Sequence, residues 1–273
     1  MKRKFIQVIL FAFILFIVGC SQSPSNQNTK LTLTSPISKD LSGLLVIQHT
    51  YYTNYFDTAL KSEIMGKYIQ TIEHSLVTVG NNSINRKGVA SFTQDPLIPS
   101  DLEITTNSFY SKYNSLHKND GLRVDKGHVN PYTAFDFDLS AAKESMYLEN
   151  TCPQYSFFNE HQWLAVEQHV IKQVSLVYDK DSKQYKPNQD SITVYTGVLI
   201  GKNQINDGDY SIYIPDYYWK VITYKKDGNL VYEAWLGKNS ADNTDTNPYD
   251  IKIDLDKLKK QIKSYYPNLD LEF

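Results

Sequence analysis

Asp125-Lys126-Gly127-His128, then Asn150-Thr151-Cys152-Pro153-Gln154, then Asn159-Glu160-His161-Gln162-Trp163 and Glu167 are the runs on which the reading of this chain turns. Their local grammar is strand, excursion and helix. Gly121 marks a turn, and the strand carrying His128 follows it. Gly127, beside the histidine, suggests a backbone position that needs close approach or a positive φ. Asn159, Trp163 and Glu167 are spaced i, i+4, i+8, which places them near one face of a helix. Leu164, Val166, Val170, Ile171 and Val174 supply that helix with a packing surface, and Asn159 stands where an N-cap would stand, so the spacing predicts a helix over 159–174.

Outward from this centre, 44–51 and 63–80 read as strands, the second in one piece or two, and 140–146 as a short helix. Further strands are expected at 191–200, 211–214 and 218–224. Asp227-Gly228 signals a hairpin turn with 230–236 as its return strand. A terminal helix over 254–265 carries Leu255, Leu258 and Ile262 on one face. Strands outnumber helices and hairpins join them. The expected fold is α+β, a mixed, mostly antiparallel sheet flanked by helices. No internal repeat is visible, and the motifs run through residues 42–273, which suits one domain.

The order of these motifs resembles the DNA/RNA non-specific endonuclease family, of the Serratia nuclease and endonuclease G type. That family carries D-R-G-H, then N-x-x-P-Q, then N-x-x-x-W-x-x-x-E. The likeness extends beyond the centre. His49-Thr50-Tyr51-Tyr52 with Lys61–Tyr68 resembles the family's first strand pair, and Phe92-Thr93-Gln94-Asp95-Pro96 its aromatic-x-x-Asp-Pro segment. Val194-Tyr195-Thr196-Gly197 and Ile214–Ile222 resemble its Y-T-G and I-P-x-x-Y-W-K-V strands, so the resemblance covers roughly residues 43–273.

The resemblance implies a ββα-metal motif and a Mg²⁺-dependent endonuclease, with Mn²⁺ as a substitute, that cuts DNA and RNA with little sequence preference and leaves a 5′-phosphate. The chemistry suits the residue types. A neutral imidazole is a natural base near pH 7, since its unperturbed pKa is about 6.5, and His128 is the candidate. Magnesium prefers oxygen ligands and keeps several waters, so the amide oxygen of Asn159 can hold it while water and phosphate complete the shell. Glu167 would accept hydrogen bonds from metal-bound water, and Asn150 would orient the site. Asp125, Lys126 and Arg86 complete the candidate set. Two positions depart from the family pattern. Lys126 stands where the family has Arg and cannot make a planar bidentate contact to phosphate. The family's upstream phosphate-holding Arg falls, in strict register, on Ala90, and the nearest arginine is Arg86.

Taken singly, each residue has a plainer reading: His128 as a loop or core histidine, Asn159 as a helix cap, Glu167 as a solvated helix residue, Asn150 as a turn residue. Jointly these readings require five positions to fall into one order by accident. His49, His74, His117, His161 and His169 lack such a context and read as structural or surface residues. The rival functions are a nucleic-acid-binding surface lipoprotein that keeps the fold with weakened catalysis, and a lipoprotein for other ligands in which the motif is coincidence.

At the N-terminus, Lys2, Arg3 and Lys4 precede an apolar run from Phe5 to Val18, and Ile17-Val18-Gly19-Cys20 resembles a lipobox. Residues 1–19 therefore read as a lipoprotein signal peptide rather than a membrane span, which needs about 20 apolar residues. Cys20 would carry the lipid, anchoring the protein outside the cytoplasm at the bacterial membrane. Residues 20–41, rich in Ser, Asn, Gln, Thr and Pro, read as a tether. Only Cys152 then remains, which excludes an intramolecular disulfide. Loss of Lys2, Arg3 and Lys4 takes 28 basic residues to 25 against 30 acidic, about −5. Nucleic-acid binding therefore requires a local positive field, for which Lys112, Lys118, Arg123, Lys126, Arg86 and Lys87 are available.

Overall fold

The computed structural model describes residues 44–273 except 80–82, 90, 103–106, 182, 207–210, 244, 270 and 272. The expected signal peptide, Cys20, the tether and Ala90 lie outside the described residues. Among those described, no helix is long and apolar enough to cross a membrane.

A seven-stranded antiparallel sheet organises the domain. In chain order its strands are β1 (Leu44–Gln48), β2 (Tyr52–Asp57) and β3 (Ser62–Thr71). A two-stranded ribbon of β4 (Val124–His128) and β5 (Thr151–Tyr155) and a hairpin of β6 (Leu176–Asp179) and β7 (Gln184–Pro187) come next. β8 (Ser191–Asn206), β9 (Ser211–Lys226), β10 (Asn229–Lys238) and β11 (Lys252–Ile253) complete the large sheet, whose order is β1-β2-β3-β8-β9-β10-β11. The α+β expectation holds, with helices at Ile72–Val79, Asn107–Leu116, Leu139–Ser145, Leu164–Gln173 and Leu255–Tyr265.

β8 and β9 are fully buried through their middles, which is why both read as near-continuous apolar runs. Trp163, Trp219, Trp235, Tyr218 and Phe158 fill the core between the sheet and the helix that begins at Ser156. Tight turning at β9–β10 uses Asp227 (φ 52°) and Gly228 (φ 80°), the left-handed pair that a two-residue hairpin requires.

Three expectations are corrected. Residues 211–224 form one strand, not two. Pro215 is accommodated where the β8–β9 register shifts, beyond the last residue paired with β10, so its missing N–H breaks no ladder. The second half of the 63–80 segment is a helix, Ile72–Val79, started by Thr71 Oγ1, which accepts from the His74 amide at 3.4 Å. Asn159 is not an N-cap: the helix starts earlier, at Ser156, and Asn159–Trp163 is a π turn within it.

Candidate active site

The site forms around the β4–β5 ribbon. Gly127 lies opposite Cys152, and a Cβ on Gly127 would stand 2.1 Å from Gln154 Oε1 and 2.5 Å from Gln154 Cβ. Close approach, not positive φ, is the reason for glycine here. His128 ends β4, and the chain leaving it is fastened from behind. Val129 N–H donates to the Asn150 carbonyl at 2.9 Å, and Asn130 N–H to Asn150 Oδ1 at 2.9 Å. Asn150 Nδ2 donates to the carbonyls of Asn130 (2.9 Å) and Ser145 (2.8 Å). Asn130 Nδ2 in turn reaches Asn54 on β2 (2.7 Å) and Glu63 on β3 (3.0 Å). Asn150 is wholly buried, and its hydrogen bonds fasten the chain leaving β4.

An open cavity of about 640 Å³ is lined by Arg86, Asp125, Lys126, His128, Asn159 and Glu167, together with Phe92, Tyr110, Tyr132, Arg123 and others. All candidate residues from the sequence except Asn150 and the undescribed Cys20 therefore share one cavity. The π turn explains how the helix contributes. An ideal α-helix would stack 159, 163 and 167, but one extra residue in the turn sends Trp163 into the core and brings Leu164 above Asn159. The cavity face of the helix is Asn159, Glu160, Leu164 and Glu167.

Asp125 sets the direction of the Asn159 amide. Its Oδ2 accepts from Asn159 Nδ2 at 2.9 Å, and its Oδ1 accepts from Ser156 Oγ at 3.0 Å. The Asn159 amino group thus faces the carboxylate, and its Oδ1 is left to face away from Asp125. Arg123 Nη2 stands 3.8 Å from Asp125 Oδ1.

Two cations share the Phe92 ring. Lys126 Nζ lies 5.0 Å from the Phe92 ring centre and 5.1 Å from that of Tyr110. The Arg86 guanidinium lies 5.6 Å from Phe92 and 5.7 Å from Tyr132. Asn85 caps the short turn that carries Arg86, and Tyr132 Oη donates to the Ile84 carbonyl at 2.7 Å, pinning that loop. Arg86 is thereby brought to the cavity wall, which the sequence could not show. Burial, then the charge of Arg86, lowers the Lys126 pKa.

His128 packs its ring against Phe92 with centres 5.2 Å apart. Burial, then the charges of Arg86 and Lys126, pushes its pKa down to about 3, so the ring is neutral at pH 7. Its Nε2 is buried, and among the described residues it has no hydrogen-bond partner. Burial raises the Glu167 carboxyl above its ordinary pKa, while the charges of Lys220 and Arg86 pull it back. In the sequence Lys220 stands inside a strand. Its signal is a lysine within the apolar run Tyr218-Trp219-Lys220-Val221-Ile222. Tyr110 is not legible as a cavity residue in the sequence because its helix, Asn107–Leu116, is polar and weakly patterned.

The donor set suits a hard cation held mainly by water. Asn159 Oδ1 can bind directly and Glu167 can receive hydrogen bonds from bound water. Among the described residues, no three His, Cys, Asp or Glu side chains converge as a metal-ligating group.

The remaining histidines fall elsewhere. His49 Nε2 is 3.0 Å from Asp95 Oδ2 in the interior, and His74 stacks on Phe137 at 3.6 Å. His117 pairs with Asp120 at 2.6 Å, and His169 lies 3.5 Å from Glu233. His161 bonds the Phe157 carbonyl at 2.8 Å.

Comparison with known proteins gives three findings. The family model described as DNA/RNA non-specific endonuclease matches residues 38–267. A salivary endonuclease of Lutzomyia longipalpis is 34% identical over 108 residues, which is 36% of this chain and 23% of that one. The match thus spans under a quarter of that relative's length. A solved structure of the EndoG/EndoGI complex superposes with a TM-score of 0.59 at 20% identity, covering 84% of each chain, a likeness of fold.

Proposed function

This chain belongs to the DNA/RNA non-specific endonuclease family, and from that premise we propose that it is a Mg²⁺-dependent endonuclease hydrolysing phosphodiester bonds in DNA and RNA. The observation that carries this reading is the single cavity in which a neutral imidazole, an oriented amide oxygen and a buried carboxyl face two cations. Arg86 and Lys126 attract and seat the scissile phosphate, supplying the local positive field that a chain of net charge −2 otherwise lacks. His128 takes the proton from the attacking water, since its ring is uncharged and its Nε2 has no partner among the described residues. Asn159 Oδ1 would hold the cation, Asp125 fixes that amide, and Glu167 would accept hydrogen bonds from the cation's water. Bound Mg²⁺ supplies charge neutralisation at the phosphoryl and leaving oxygens. Cleavage that releases the 3′-oxygen leaves a 5′-phosphate.

The cations reach the phosphodiester through the backbone, and no base-reading motif stands beside the site, which favours cleavage with little sequence preference. The lipobox-like Ile17–Cys20 supports display of the enzyme on the outer face of the cell membrane through lipid on Cys20. The test of function is incubation of the protein with supercoiled plasmid and with single-stranded RNA. Mg²⁺-dependent degradation of both is expected, and inertness toward both with Mg²⁺ and Mn²⁺ would end the reading.

A further inference from the structure

Phe92 stands where three side chains of the cavity meet. Its ring centre lies 5.0 Å from Lys126 Nζ, 5.6 Å from the Arg86 guanidinium carbon and 5.2 Å from the centre of the His128 ring. Each cation also has a ring of its own, Tyr110 for Lys126 at 5.1 Å and Tyr132 for Arg86 at 5.7 Å. Phe92 is the ring the two cations have in common. The three rings come from separate elements, and each is fastened. The Asn114 side chain ties the Tyr110 helix to β4, accepting from the Val124 amide at 2.9 Å and donating to the Val124 carbonyl at 2.8 Å. Tyr132 Oη donates to the carbonyl of Ile84, just ahead of Arg86. Beside Phe92, Thr93 N–H donates to the Met146 carbonyl at 3.2 Å and the Thr93 carbonyl accepts from Leu148 N–H at 2.8 Å. The rings are a frame against which two flexible cationic stems rest.

Among the described residues, neither Arg86 nor Lys126 has a carboxylate oxygen within 4.0 Å. Asp125, the residue before Lys126, turns its oxygens to Ser156, Asn159 and Arg123. A carboxylate partner would hold a cation and cancel its field. An aromatic face attracts a cation through its quadrupole and carries no net charge, so it holds the cation and leaves the field intact. Lys126 needs such holding, because an ammonium on a flexible four-carbon stem has no planar fork to orient it. We propose that Phe92 is the positioning residue of the phosphate seat: its ring holds the Arg86 guanidinium and the Lys126 ammonium beside His128 without neutralising either, so both charges remain available to an incoming phosphate. This role rests on the nuclease reading for the identity of the phosphate, not for its measurement.

Phe92 also packs on the small apolar cluster of Val89, Tyr132, Ala142 and Met146, so the test must separate its charge effect from its bulk. Phenylalanines carrying one, two and three ring fluorines are placed at position 92. Fluorine weakens the negative ring face and leaves the ring nearly the same size. The probe is inorganic phosphate in excess EDTA, followed by the NMR signal of the Lys126 ε-methylene, which is assigned by its loss in Lys126→Met. Phosphate affinity should fall stepwise along the series, by about 3- to 30-fold in all, with Tm unchanged. Phe92→Leu, which keeps apolar bulk and loses the ring, should match the end of the series; if it does not fold, the fluorinated proteins decide alone. Level affinity along the series, with only Tm falling in Phe92→Leu, would make Phe92 a packing residue and overturn the proposal. A wild type that binds no phosphate would overturn it too. In an active enzyme kcat/KM should fall in the same order as affinity. If phosphate binding follows the series but wild type cleaves neither plasmid nor RNA, the nuclease reading fails and the role of Phe92 stands.

Discussion

Replacing Gly127 by alanine should damage fold and function together, by amounts the ribbon geometry sets. The new methyl would sit 2.1 Å from Gln154 Oε1 and 2.5 Å from Gln154 Cβ, where carbon contacts ordinarily fall at about 3.5–4.0 Å. The oxygen can swing aside. The Cβ cannot, because it is fixed to β5 and Gln154 is wholly buried. The strands must part by about 1 Å. Overpacking of this kind costs about 1–3 kcal/mol. For a fold of this size each kcal/mol lowers Tm by about 2–4 °C, so a drop of about 2–12 °C is expected. His128 is the next residue, and a displacement of about 1 Å at a reacting group can cost on the order of 10²-fold in rate. Calorimetry and plasmid nicking measure the two effects. Adding Gln154→Ala removes the oxygen contact but not the Cβ contact, so recovery should be partial. A Gly127→Ala protein with wild-type Tm and wild-type nicking would refute the claim that this contact sets the position of His128.

Other variants separate the roles around the cavity. His128→Ala should stay folded and lose about 10²–10⁴-fold in cleavage, whereas His161→Ala should keep most activity. By NMR the His128 ring should still be neutral at pH 5, because burial, Arg86 and Lys126 hold its pKa near 3, and a ring that titrates near the ordinary value of about 6.5 would contradict that environment. Asn159→Ala should raise the Mg²⁺ concentration needed for half-maximal activity. Asn150→Ala should instead lower Tm, at about 1–3 kcal/mol for each buried group of Asn130 and Ser145 left unpaired, with metal dependence unchanged. Equal Mg²⁺ titrations for wild type and Asn159→Ala would reject the ligand assignment. Cys20→Ser should release the protein from the membrane fraction, and unchanged fractionation would favour an uncleaved anchor helix instead.

The parts of the fold that were legible in the sequence are those fixed by local chemistry. Asp227-Gly228 announces its hairpin because few residue pairs accept two successive positive φ values. The Leu255–Tyr265 helix is announced by its N-cap, Asp254, whose carboxylate accepts from the amides of Asp256 and Lys257, both at 3.1 Å. Less was visible where tertiary structure decides. The Ile72–Val79 segment is rich in β-branched residues, and strand propensity there yields to a helix begun at Thr71. The π turn leaves no periodic trace, since it adds a single residue to a pattern that already reads as helical. It changes which residue accompanies Asn159 and Glu167 at the cavity, substituting Leu164 for Trp163. Within the site, the His128, Asn159 and Glu167 set was readable from residue types and order. Arg86 was readable as a candidate, being the nearest arginine, but not how it reaches the cavity. Its approach depends on a loop pinned by Tyr132, a relation that is not local in sequence.

The central claim is that this cavity hydrolyses nucleic acid with a bound cation. Purified protein mixed with supercoiled plasmid at neutral pH, with Mg²⁺ and in parallel with excess EDTA, tests it most directly. The account predicts nicked, then linear, then fragmented DNA with Mg²⁺, none with EDTA, and none at a comparable rate with His128→Ala. Intact plasmid under all conditions, or equal cleavage with and without EDTA, would contradict it.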